Sequence, residues 1–177
     1  MTPRIGVIPG DPSGIGPELV ARLLADDCCD QAQILLIGDR HVFETGQRQA
    51  GCDHAMTAVD AAAQDWTETA PVALHEMQTI APGDVVIGQS TEASGRSTLQ
   101  VLDQALAFVQ EGVIDAIVFA PFNKASMHMA GIGHSDELHY IAEKLGVTNY
   151  ISELNTLDDM WTSRVTSHIA LRDVADA

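Results

Sequence analysis

Short apolar runs alternate with helix-patterned segments along most of this chain. Arg4–Ile8, Ala32–Ile37 and Ile114–Phe119 are aliphatic and rich in β-branched residues, and turn residues bound them. Such runs fit strands covered on both faces in a parallel sheet. Thr57–Val59, Pro71–Leu74, Val85–Ile87 and Asn149–Leu154 are shorter strand candidates, and Ser163–Ile169 is another that carries His168. Helical patterns separate them. Glu18–Ala25 follows Pro17, which suits a first helical turn because its missing amide hydrogen costs little there. Arg40–Ala50 ends at Gly51. The clearest pattern is Ser97–Glu111, with Leu99, Leu102, Leu106 and Val109 at helical spacing. Glu92–Arg96 reads as the loop ahead of it. Leu138–Leu145 stops at Gly146, and Leu171–Ala177 begins another helix.

Strands alternating with helices predict an α/β fold, in α/β/α layers around a mainly parallel sheet. Residues 1–132 are expected to form most of a first α/β domain, and residues 133–177 the incomplete start of a second. The last amphipathic pattern breaks off, so the chain reads as truncated.

Composition narrows the class. Hydrophobic residues make up 46% of the chain and aromatic ones 5%, so small aliphatic side chains must build the core. The net charge of −16 disfavours nucleic acid and anionic membrane as partners. No stretch approaches the roughly eighteen apolar residues of a spanning helix, and no secretory signal pattern opens the chain. A cytoplasmic location is expected. Cys28, Cys29 and Cys52 have neither disulfide-framework nor zinc-site spacing, and read as free thiols.

The richest chemistry lies in Ala120–Glu137, which reads APFNKASMHMAGIGHSDE. Ionisable residues just beyond the carboxyl end of a buried strand sit where α/β sheets place ligands. The same stretch reads as an ordinary βα loop in which Ser135 caps a helix. Gly14-Ile15-Gly16 at a helix start could bind an anion through free amides, or could be a tight turn. Its spacing matches neither the dinucleotide fingerprint nor the phosphate-binding loop. His168, by pattern alone, is a metal ligand or a strand histidine bonded to a carbonyl. Asp158 and Asp159 are adjacent, and in a strand they would face opposite ways.

GDPSGIGPE (Gly10–Glu18), SGRS (Ser94–Ser97), APFNKASMHMAG (Ala120–Gly131), GHSDE (Gly133–Glu137) and TSHIALRDVADA (Thr166–Ala177) together resemble the 4-hydroxythreonine-4-phosphate dehydrogenase family of vitamin B6 biosynthesis. The resemblance covers the amino-terminal half or so of that family's length. It implies an isocitrate/isopropylmalate dehydrogenase-like fold, with two α/β domains, an interdomain cleft and a homodimer. It implies NAD-dependent (or NADP-dependent), divalent-metal-dependent oxidation and decarboxylation of 4-phosphooxy-threonine, with zinc, magnesium or cobalt as the metal. It also implies site residues. His168 would be a metal ligand, and His134 and Ser135 would contact substrate. Lys124 would be catalytic, unless its stem merely covers surface. Asp11 and Gly14 would border the cofactor, and Ser94 and Arg96 would lie near substrate, unless they only form the entry to a helix. Alternatives left open are a related dehydrogenase of another phosphorylated hydroxy acid, and a non-catalytic remnant or binding module. The 177 residues alone are expected to show little or no activity.

Overall fold

The computed structural model describes residues 2–26, 31–63, 66–67, 72–134, 136–163, 166 and 170–176. In chain order its elements are β1 (Arg4–Ile8), α1 (Gly16–Leu24), β2 (Gln33–Gly38), α2 (Arg40–Ala50), β3 (Thr57–Ala58) and β4 (Ala73–Glu76), followed by α3 (Glu92–Gln110), β5 (Ala116–Phe119), α4 (Lys124–Met129) and α5 (Glu137–Lys144), and last β6 (Leu154–Leu157) and β7 (Met160–Ser163). Short 3-10 turns occupy Pro82–Asp84 and Leu171–Asp176.

The first five strands form one sheet in the order β3-β4-β2-β1-β5, and every pairing in it is parallel. The chain reverses its direction across the sheet at β1. That strand pairs with β2 through Val7↔Leu36 and with β5 through Val7↔Val118. Successive strand residues face opposite ways, which explains the unbroken apolar runs. Leu35 and Ile37 of β2 face Leu102, Ala105 and Phe108 of α3, whereas Leu36 packs with Val20 of α1 and Phe43 of α2. Met127 of α4 and Tyr140 of α5 join the α3 side. Two glycines set helix spacing. A methyl on Gly46 would overlap the Pro17 carbonyl, and one on Gly95 would overlap the Ser126 carbonyl. These positions let α2 press on α1, and α3 on α4.

The structure corrects several expectations. Ile114 is buried, but β5 begins at Ala116 and lies at the sheet edge, leaving Val118 45% and Phe119 43% exposed. An aliphatic run reports strand propensity and cannot report a missing neighbour. Helix α3 starts at Glu92, because the Thr91 side chain accepts the Ser94 amide and caps it. The SGRS block is therefore helical. Val85–Ile87 forms no strand. The expected strand Asn149–Leu154 is displaced, since an antiparallel hairpin of β6 and β7 pairs Leu154↔Ser163 and Leu157↔Met160. Asp158 and Asp159 form its turn, with Asp158 at φ 44°. Most of the expected strand Ser163–Ile169, including His168, lies outside the described residues, as do Cys28 and Cys29. Cys52 is a free thiol.

Candidate functional site

The parallel strands deliver four loops to one end of the sheet, where they are tied together. Gly10 adopts φ 71°, and a side chain there would strike the Ala120 and Pro121 carbonyls. The Asp11 amide donates to the Pro121 carbonyl at 3.1 Å, and the Gly88 amide to the Ser13 carbonyl at 2.8 Å. Beneath these contacts lies a group of buried hydroxyls. Ser13 Oγ bonds Ser94 Oγ at 2.7 Å, Thr91 Oγ1 donates to Ser94 Oγ at 3.0 Å, and Thr98 Oγ1 donates to the Ser94 carbonyl at 2.9 Å. The buried Asp11 accepts the Ser13 amide at 2.8 Å. Its described role is to hold the loop in which Gly14 sits. Ser94 is wholly buried within this group, while Arg96 points outward and pairs with Glu92.

Lys124 opens α4 at the end of the β5 loop. Asn123 caps that helix by accepting the Ser126 amide at 3.2 Å, and its own amide donates to Ser90 Oγ at 3.0 Å. The Lys124 ammonium therefore projects from a fixed helix end. It lies 3.8 Å from Glu137 Oε2, with the lysine side chain 62% and the glutamate side chain 23% exposed. Helix α5 is capped by Asp136, which accepts the His139 amide at 3.0 Å, so the cap is Asp136 and not Ser135. Ser135 itself lies outside the described residues. Partial burial pushes the Asp136 carboxyl upward, but the His139 amide and imidazole bonds and the Lys124 charge outweigh it and bring it below its usual value. His134 Nε2 meets Glu143 Oε2 at 2.8 Å, and its ring lies edge-on to Tyr140 with centroids 5.9 Å apart. His134 also lines an open cleft of about 620 Å3 with His139, Glu143 and Tyr150. The structure thus brings Lys124 and His134 to α5, and sets Asp11 and Gly14 in the adjoining β1 loop.

Sequence reading gave no role to Asp39. It closes β2, the place where dinucleotide-binding sheets hold a ribose-binding acid. Here both its oxygens accept the Thr79 amide, at 2.9 and 3.1 Å, and the Thr79 hydroxyl donates to Oδ2. Thr79 Oγ1 also bonds Ser97 Oγ at 2.6 Å. Asp39 therefore anchors the β4–α3 segment and is not free to bind a sugar. The alternation Ile37-Gly38-Asp39 marked a strand end, but no sequence signal tied it to a partner forty residues on. Among the described residues no three of His, Cys, Asp and Glu gather to hold a metal ion. A catalytic zinc needs about three protein ligands, so the described residues do not supply a complete metal site.

The family model for pyridoxal phosphate biosynthetic protein PdxA matches residues 30–177. A Pseudomonas aeruginosa protein with the provisional name 4-hydroxythreonine-4-phosphate dehydrogenase 2 is 45% identical over 97% of this chain and 51% of its own length. A D-threonate 4-phosphate dehydrogenase of Bordetella bronchiseptica is 31% identical over 98% of this chain and 50% of its own. The crystal structure of a 4-hydroxythreonine-4-phosphate dehydrogenase from Burkholderia phymatum superposes with a TM-score of 0.83 at 28% identity, over 98% of this chain and 52% of that one. The chain spans about half the length of the curated relatives it matches.

Proposed function

This chain belongs to the pyridoxal phosphate biosynthetic protein PdxA family, and from that premise we propose that the protein is a dehydrogenase of 4-hydroxythreonine 4-phosphate. The observation that supports this most is the match of residues 30–177 to that family, and in the fold the Asp11–Gly14 loop and Lys124 follow the carboxyl ends of two adjacent parallel strands, β1 and β5. In this reading the secondary alcohol of the substrate is oxidised. The hydride leaves the carbinol carbon for NAD (or NADP), and the hydroxyl proton is released. The resulting β-keto acid loses carbon dioxide and takes up a proton to give an amino-ketone phosphate.

Lys124 is the proposed catalytic residue. Its ammonium, on a helix end fixed by Asn123, donates to the oxygen on which negative charge develops, and stabilises that charge by position. His134 and Ser135 are proposed to hold the substrate, and Gly14, with Asp11 beneath it, to border the nicotinamide cofactor. A bound divalent cation (zinc, magnesium or cobalt), with His168 among its ligands, belongs to the same proposal. The described residues do not complete its site, and no step here is routed through it. A homodimer in the cytoplasm completes the reading. No described helix is long and apolar enough to cross a membrane.

The test is NAD reduction by the whole protein with 4-hydroxythreonine 4-phosphate and a divalent metal, with D-threonate 4-phosphate in parallel. Substitution Lys124→Met should lower kcat by about 100-fold or more and leave the far-ultraviolet circular dichroism unchanged. Turnover of D-threonate 4-phosphate alone would move the protein to the sister activity. An unchanged kcat in Lys124→Met would remove Lys124 from the mechanism.

A further inference from the structure

Glu137 opens α5, and its Oε2 is shut off from solvent yet accepts no hydrogen bond among the described residues. The cation facing it is the Lys124 ammonium at 3.8 Å, within ion-pair range but beyond a hydrogen bond. An acid in the first turn of a helix is favoured by the helix dipole. That explains why a glutamate is tolerated at this position. It does not explain why one oxygen is turned away from water and toward a lysine.

Lys124 is mostly exposed and able to swing outward. A carboxylate removed from water is costly once its cation leaves. A purely anionic ligand that drew Lys124 onto its reacting oxygen would strand Glu137. A ligand carrying an ammonium beside that oxygen would not. Its reacting oxygen takes Lys124, and its ammonium replaces Lys124 at Glu137, so no buried charge is left uncompensated. We infer that the Lys124–Glu137 pair reads the ammonium and neighbouring reacting oxygen of a phosphorylated α-amino acid, with Glu137 as the residue that discriminates it from the corresponding hydroxy acid. This rests on the dehydrogenase reading above, which places the substrate at Lys124. Sites that hydrogen-bond a substrate group reject analogues lacking it, because the protein partner is left bare.

The experiment is calorimetric binding of 4-hydroxythreonine 4-phosphate and of D-threonate 4-phosphate to the whole protein, wild type, Glu137→Gln and Glu137→Asp. Wild type should bind the amino acid more tightly. Glu137→Gln should weaken the amino acid by about 10- to 100-fold and leave the hydroxy acid unchanged or tighter. Glu137→Asp keeps the charge and should recover part of the loss. Equal effects on both ligands, no effect on either, or a wild-type preference for the hydroxy acid would overturn the inference while leaving the dehydrogenase reading standing. A folded wild type that binds neither ligand would overturn both.

Discussion

His75 shows how one side chain carries a measurable signature of its surroundings. It sits near the end of β4 with its ring edge-on to Phe108, centroids 4.8 Å apart, and its Nδ1 has no hydrogen-bond partner among the described residues. Burial pushes the imidazole below its ordinary value of 6.5, against the upward pull of Asp60 and the Val59 carbonyl. Above pH 6.5 the ring is neutral in both folded and unfolded chains. As the pH drops below that, the unfolded chain takes up the proton first, and stability declines through the lower folded-state value. Urea midpoints measured between pH 7.5 and 5 should fall in wild type. The comparison is with His75→Gln, which should fall less over that window. Identical slopes would refute the assignment. None of this is legible from the chain's pattern, since a histidine on a strand carries no sign of what packs over it.

At the scale of elements, the α3–α4 contact depends on Gly95. Its missing side chain admits the Ser126 carbonyl, and Thr91, one turn earlier, reaches the same residue through a 3.3 Å bond from its amide to Ser126 Oγ. Gly95→Ala must push the two helices apart and disturb the buried hydroxyls beside them. It should cost about 2–4 kcal/mol of stability in urea titration, whereas Gly83→Ala, with open space around it, should cost little. A Gly95→Ala loss under about 0.5 kcal/mol would mean that the helices slide freely. Local pattern was enough to locate most elements. Helix α2 was legible to the residue, because Gly51 at φ 69° is a stop that sequence can show. The sheet order and the Asp39–Thr79–Ser97 anchor were not legible, because they depend on which segments meet. The start of α3 was misplaced because Ser94, Gly95 and Arg96 look like loop residues. Two of them are in fact small so that the β1 loop and α4 can approach. In the candidate site, Lys124 and His134 stood out from their motifs and Glu137 lay in the same stretch, but its facing of Lys124, and the place of Glu143, became visible only once α5 was placed beside them.

At the scale of the whole molecule, large apolar side chains are exposed among the described residues at the sheet edge and the hairpin, as well as at Ile15, Ile87 and Met129. Phe119 and Val118 lie on the outer sheet edge, and the hairpin leaves Trp161 69% and Leu157 65% exposed. Two-stranded hairpins are marginal in water without a covering layer. The 177-residue chain should therefore bind a hydrophobic dye strongly, and Trp161→Ser with Phe119→Ser should reduce that fluorescence without lowering the urea midpoint. Undiminished fluorescence would place the dye elsewhere. A different consequence follows from the central position of β1. Its outer neighbour, β5, is more than a hundred residues away along the chain, a separation spanned by the Arg4–Asp115 ion pair at 2.7 Å. During synthesis β1 must wait on the order of 5–20 s for β5 to leave the ribosome. Through that interval a bare aliphatic edge is available to any other nascent chain. Folding of this protein is thus paced by translation, and its yield in a cell should depend on whatever shields β1 until β5 arrives.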